Sequence, residues 1–315
     1  MAKILWIIHN YPPYQNAGAE WMAKEINDYL AELGHEIIVI SRLSPESEYN
    51  ISGSRVVNTK GAERVGPIKE CDIIFTHLDD SYEATDLAQE YNKPIVHVLH
   101  HSFEIDILRK GLQNVFLVYN SEWVKKDRAY PHPGIVVRPP INPARFKGMQ
   151  PAQDGFITLV NCNKDKGGLI LQHIARAMPD KRFLGVLGAH GQQYKGIQSN
   201  ITYWDTKDDI REVFAVTSLL IAPSIYESYG RIAIEAIACG IPVVAADTPG
   251  LHESLGDAGV FVRRNNLPAW IHAIRSVVPV PSLRARAQEV WENSQNELNQ
   301  LNNLINYICN QHIQK

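Results

Sequence analysis

Glu227 and Glu235 stand eight positions apart in a stretch, Ser224 to Pro242, whose only other charged residue is Arg231. From Ile232 to Cys239 every side chain except that of Glu235 is apolar. This pattern, closed by Gly240, predicts a short loop and then a buried helix over about 230–239, with Pro242 opening the next strand. A lone carboxylate on such a helix is costly unless something binds it. The helix start, reached through Ser228, Tyr229 and Gly230, offers unpaired N–H groups and a partial positive charge, a seat for phosphate. A loop carboxylate, an anion seat and a buried carboxylate therefore line one edge, and a phosphorylated ligand is the chemistry that edge suits. The spacing alone fits equally well a satisfied core acid at Glu235 and a solvated loop acid at Glu227.

The elements around that stretch alternate. Ile4–Ile8 is a continuous apolar run, as in a central strand covered on both faces. A turn-rich loop leads from Asn10 to Glu20, a helix runs from about Gly18 to Leu33, and Gly34 closes it. Strands follow at 36–41, 55–58, 72–76, 94–99 and 115–119, with helices at 81–91 and after Ser121, its expected cap. A second series has strands at 156–160, 183–187, 201–204, 218–222, 242–245 and 259–262, with helices at 168–178, 208–216 and 267–278. Such alternation implies parallel, doubly wound sheets. The proline-rich run from Arg138 to Pro143 and the polar stretch to Gly155 mark an interdomain segment near 139–155. Past Pro281 the chain is helical, with Leu298, Leu301, Leu304, Ile305 and Ile308 forming a stripe.

Composition removes several classes of function. A net charge of −3 lacks the basic excess of a nucleic-acid binder, and residues 1–142 carry 14 Lys and Arg against 19 Asp and Glu, so this half lacks the overall basic excess of a face for anionic lipid, which leaves a local patch and peripheral membrane contact open but unsupported. The four cysteines are scattered, without the spacing of a disulfide framework or a zinc site, so reduced thiols and a cytoplasmic protein are expected. The first residues lack a signal peptide's apolar core, and no apolar run reaches membrane-spanning length. Neither GxGxxG nor GxxxxGK[ST] occurs, and Gly185, Gly188 and Gly191 have the wrong spacing, which leaves NAD and P-loop readings weak. No metal cluster is visible.

Glu227 and Glu235, seven residues between them, with Ser228-Tyr229-Gly230 inside and Ala238-Cys239-Gly240-Ile241-Pro242-Val243-Val244 following, resemble the donor-sugar motif of retaining glycosyltransferases of the GT-B fold. The resemblance is to the family-4 group, also called glycosyl transferases group 1. It continues through Ala245 to Gly250 and Glu253, some thirty residues in all. It implies two facing Rossmann-like domains with a cleft between them: 1–140 on the acceptor side, 141–291 on the nucleotide-sugar side, and a terminal helix, 292–315, packing back on the first.

The resemblance also assigns roles. Glu235 would accept the ribose hydroxyls and Glu227 would contact the donor sugar near the reacting face. Backbone N–H groups of Ser228, Tyr229 and Gly230, with Lys166, would hold the diphosphate. Lys166-Gly167 matches the family's Lys-Gly, but Asn161 stands where the family has arginine and Val160 where it has glycine. Arg231 or Lys164 could replace that lost charge. Gly18, in a loop like the family's Gly-Gly-x-Glu turn with Ala17 for the first glycine, would approach the phosphates or the acceptor. The loop at Gly188 would let a ligand reach backbone. His100, ending the strand at 95–99, is in register with the histidine that approaches the reaction centre, with His101 beside it as the alternative. The family uses no bound metal, no cofactor beyond the nucleotide-sugar co-substrate and no covalent intermediate. The acceptor would be a carbohydrate, a lipid or a small molecule. Asn161 keeps open a second reading, a nucleotide-sugar-binding protein that has lost catalysis.

Overall fold

The computed structural model describes residues 1–15, 17–58, 65–103, 105–188 and 191–313. The chain divides into two compact units, Met1–Pro140 with Ser294–Lys315, and Ile141–Asn293.

The first unit opens with β1 (Lys3–Ile8), α1 (Gly18–Glu32) and β2 (Glu36–Ser41). Along β1, Ile4, Trp6 and Ile8 enter one core cluster while Leu5 and Ile7 enter another. The unbroken apolar run thus reflects a strand buried on both faces, each aliphatic side chain contributing about 1.5–3 kcal/mol. Where one strand is expected near 55–58, the chain forms an antiparallel hairpin of β3 (Glu48–Ile51) and β4 (Ser54–Val57). Its turn residues Ser52 and Gly53 both have positive φ, 47° and 82°, the geometry that matches a hairpin to strand twist. β3 is half exposed and polar, so no apolar run announced it.

The remainder runs α2 (Val65–Glu70), β5 (Ile73–His77), α3 (Ser81–Glu90), β6 (Ile95–Leu99), β7 (Val115–Tyr119), α4 (Glu122–Asp127) and β8 (Gly134–Val136). Ser121 caps α4 as expected, its side chain accepting from the Val124 N–H. The eight strands lie in the order β3-β4-β2-β1-β5-β6-β7-β8, parallel except at the hairpin. The carboxyl ends of β1, β5 and β6 therefore lie side by side, where parallel α/β sheets bind ligands.

The second unit begins inside the expected interdomain segment. Ile141 and Phe146 are each only 1% exposed and belong to its core, so the first part of that segment is packed. Then come β9 (Phe156–Val160), α5 (Gly168–Ala177), β10 (Phe183–Val186), β11 (Ile201–Trp204), α6 (Ile210–Phe214), β12 (Thr217–Ala222) and α7 (Arg231–Ala238). β13 (Val243–Ala246), α8 (Pro249–Leu255), β14 (Gly259–Val262) and α9 (Leu267–Ser276) complete it. All six strands are parallel, in the order β11-β10-β9-β12-β13-β14. The order reverses between β9 and β12, the switch point at which such sheets open a crevice.

α10 (Ser282–Ile313) serves both cores in turn. Leu283, Ala287 and Val290 join the second unit's cluster, whereas Leu298, Leu301, Ile305 and Ile308 pack in the first. Glu297 fixes the latter part, accepting from the Arg138 N–H at 2.7 Å and pairing with the Arg138 guanidinium.

Candidate functional site

α7 starts at the carboxyl end of β12 through Gly230, whose φ of +86° is the left-handed conformation that favours glycine. A Cβ there would come within 2.7 Å of the Leu251 side chain. The preceding loop is pressed onto α8, because Gly250 lies so close that its Cβ would sit 2.1 Å from the Glu227 carbonyl. Tyr229 is 1% exposed and anchored in the core, so its backbone is what it can offer a ligand. Gly240, with φ of +77°, closes the helix as the sequence predicts. Glu235 is buried, and Arg231, one turn earlier, donates to its Oε1 at 2.8 Å. Arg231 is thus engaged by Glu235.

Lys166 is placed by a second set of contacts. Gly167, with φ of +101°, starts α5 so close to Pro223 that a Cβ would meet its Cγ at 2.4 Å. The Lys166 N–H is held by Asn163 Oδ1 at 2.7 Å, and the Ile225 N–H by the Asp165 carbonyl at 2.8 Å. Arg264 ties the same two loops, donating to the Pro223 and Lys164 carbonyls. The β9–α5 and β12–α7 loops are therefore laced together, and the Lys166 ammonium meets Glu227 Oε1 at 2.6 Å, where Ser224 also donates at 2.8 Å. Lys164 itself is exposed.

Asn161 and Gly188 meet. Asn161 has φ of +70°, which asparagine tolerates better than most residues. Its Oδ1 accepts from the Asn163 N–H and from Gln193 Nε2, each at 3.2 Å, and Gln193 in turn accepts from the Gly188 N–H at 2.9 Å. A Cβ on Gly188 would strike the Asn161 carboxamide at 2.4 Å. Asn161 thus shapes the turn beneath Lys166, a task the sequence reading does not give it. Ala189 and His190, in the loop after Gly188, lie outside the described residues.

In the first unit, Gly18 is exposed as the first residue of α1, and Asn16 in the loop before it lies outside the described residues. His100 follows β6, and its Nε2 lies 3.0 Å from Nδ1 of His77. Burial pushes the His100 pKa down to about 4, which keeps it neutral. His101 turns to its own loop, accepting from the Phe103 N–H. The sequence gives no sign of a ligand cluster here, because its members are distant along the chain. His9 at the end of β1, Glu20 in the first turn of α1 and His77 at the end of β5 bring their ligating atoms within 4.8 Å of one another. His9 also lies 3.2 Å from Asp80 Oδ2 and 3.4 Å from Glu20 Oε1, and those two acidic partners raise its pKa to about 9.

Residues 163–278 match the family model described as Glycosyl transferases group 1. A D-inositol 3-phosphate glycosyltransferase from Rhodococcus erythropolis is 35% identical over 106 residues, 31% of this chain and 24% of that protein. Over that segment the chain is similar to group 1 glycosyltransferases. It matches about a quarter of the length of the curated relatives. Among solved structures, a glycosyltransferase from Rickettsia africae ESF-5 aligns over 98% of both chains with a TM-score of 0.74 and 16% identity. An Anabaena protein, HepE, solved in complex with UDP-glucose, aligns over 98% of this chain and 99% of its own with a TM-score of 0.73 and 16% identity. At these identities the likeness concerns fold, and the fold is GT-B. The matched glycosyltransferase segment contains Lys166, Glu227, Arg231 and Glu235 and begins two residues after Asn161.

Proposed function

We propose that this chain is a retaining glycosyltransferase that moves a sugar from a nucleoside-diphosphate sugar to an acceptor hydroxyl. The observation that carries the reading is the Lys166–Glu227 ion pair, held by two laced loops beside the N-terminus of α7. A diphosphate seated on the N–H groups of Ser228, Tyr229 and Gly230 competes with Glu227 for the Lys166 ammonium. Drawing Lys166 to the phosphates releases Glu227 toward the sugar hydroxyls, so donor binding itself arms the loop carboxylate. As the glycosidic bond lengthens, negative charge grows on the leaving diphosphate, and a fixed ammonium with preset amides stabilises it most at that moment. Glu235, steadied by Arg231, takes the ribose hydroxyls. The departing phosphate removes the acceptor proton on the face it leaves. No metal is asked to hold the diphosphate. HepE's complex with UDP-glucose supports a uridine donor as the first to try. The inositol phosphate in the relatives' name suggests one acceptor class to test. A cytoplasmic place of action fits four free, buried cysteines, and among the described residues no helix is long and apolar enough to cross a membrane.

The reading is tested by screening UDP-, GDP- and ADP-sugars by thermal shift and then following diphosphate release and product anomers by NMR. One donor class should raise the melting temperature and be consumed with the anomeric configuration kept. Binding without turnover against any acceptor would favour the second reading, a sugar-nucleotide-binding protein, to which Asn161 lends its support. Failure of every donor to bind refutes both.

A further inference from the structure

The corner formed by β1, α1 and β5 holds chemistry that sugar transfer does not use. His77 is fully buried, its Nδ1 is occupied by His100, and its Nε2 has no hydrogen-bond partner among the described residues. Glu20 is 2% exposed, and its Oε2 is likewise without a partner. Two such orphans cost free energy unless something satisfies them both. His9 completes the group, its Nδ1 3.2 Å from Asp80 Oδ2 and its Nε2 3.4 Å from Glu20 Oε1.

We propose that His9, Glu20 and His77 form a binding site for one divalent cation of the zinc type. Two imidazoles and one carboxylate are the donor set that borderline cations such as Zn²⁺ and Co²⁺ prefer over Ca²⁺ or Mg²⁺. Their ligating atoms lie within 4.8 Å of one another, which a small side-chain rotation closes onto an ion. The surrounding contacts are those a metal site needs. Asp80 accepts from Nδ1–H of His9, which fixes the tautomer that presents Nε2, and Nδ1 of His77 is held by His100. Arg42 meets the other oxygen of Asp80 at 2.6 Å, so Asp80 orients and does not ligate. Arg42 also balances the Asp80 charge and leaves the Glu20 carboxylate for the cation. Three protein ligands leave further positions for water or another oxygen donor. The site lies at the carboxyl ends of neighbouring parallel strands, beside His100, so a bound cation would fix the corner that carries that histidine.

The experiment uses the full chain without an affinity tag, stripped with EDTA and dialysed. ZnCl₂ is titrated calorimetrically against a competing chelator, and CoCl₂ binding is followed by d–d absorption. Wild type should bind one Zn²⁺ per chain and give an intense, low-coordinate Co²⁺ spectrum. His9→Gln and Glu20→Gln should abolish both, and Asp80→Asn should weaken Zn²⁺ about 10–100-fold as an orienting partner does. His252→Gln, which removes an exposed histidine of the second unit, should change nothing. His77→Gln alters a buried side chain, so the judgement rests on the partly exposed His9, with circular dichroism showing that the variant is folded. Zinc held no more tightly by wild type than by folded His9→Gln overturns the proposal. No sugar donor is present, so this outcome is separate from that of the transferase reading.

Discussion

Replacing Glu235 separates a ribose-binding carboxylate from a core acid kept only for its partner. Its side chain is 7% exposed and that of Arg231 13%, with 2.8 Å between Arg231 Nε and Glu235 Oε1. Removing one member of a buried pair strands the other, at about 3–5 kcal/mol for full burial. Glu235→Ala is therefore a poor probe, because instability and lost affinity would arrive together. Glu235→Gln keeps an acceptor for Arg231 and the side-chain volume, which limits the stability loss to about 1–3 kcal/mol, the scale of one charge-assisted bond. The ribose loses its charged acceptor, and nucleoside diphosphate affinity should fall by about 1.5–3 kcal/mol, roughly tenfold to 150-fold. Glu235→Leu combined with Arg231→Met replaces the pair with apolar side chains, so the denaturant midpoint of the second unit should recover while affinity stays low. The measurements are calorimetric titration with the cognate diphosphate and urea unfolding of wild type, both single variants and the double variant. Unchanged affinity in Glu235→Gln, with stability lost and then regained in the double variant, would show that Glu235 is structural and refute the donor-site assignment.

Three other outcomes are expected. Lys166→Met should weaken diphosphate binding by about 1.5–3 kcal/mol, whereas exhaustive EDTA treatment should leave the affinity unchanged; a loss that Mg²⁺ or Mn²⁺ restores would overturn the charge assignment. Asn161→Arg should bring no gain in affinity at low or high salt and should lower the second unit's stability by about 1 kcal/mol or more, since arginine fits φ of +70° poorly and cannot accept from the Asn163 N–H; a salt-sensitive gain in calorimetry would show that the family's grip can simply be restored. His97 is fully buried with its Nε2 3.1 Å from the Thr85 hydroxyl, and burial pushes its pKa down to about 3. Below pH 6.5 the unfolded chain takes a proton that folded His97 refuses, so stability falls as pH falls, by roughly 3 kcal/mol at pH 4; His97→Leu should flatten that limb of the urea-midpoint profile, and an unchanged slope would refute it.

What was legible in the sequence was local. The α7 stretch reads as a buried helix because its apolar run, its single acid and its terminal glycine are contiguous, and β1 reads as a central strand because both of its faces are covered. The elements that escaped reading, β3, α2, β8 and α8, are short and partly exposed. β8 sits at the sheet edge behind Pro131 and Pro133, and α8 begins at a proline after a strand. None of these carries enough periodicity to register, because packing against neighbours decides them and their own pattern does not.

The site divides along the same line. Glu227, Gly230 and Glu235 could be found because one loop and one helix carry all three. Gln193 and Arg264 could not, since each acts by tying a loop to another that is distant in sequence, and only the fold shows which backbone groups need holding. Asn161 is the instructive residue. In the sequence it looks like a charge that the site has lost. In the structure it accepts two hydrogen bonds at positive φ and occupies the space that Gly188 leaves, so an arginine there would require a different turn as well as a different charge. The same holds for His9 and His77, which lie 68 positions apart and meet only because β5 is laid beside β1. Donor chemistry written in one segment was open to motif reasoning. Chemistry assembled across strands is set by sheet order, and its first sign is the buried Nε2 of His77, which has no hydrogen-bond partner among the described residues.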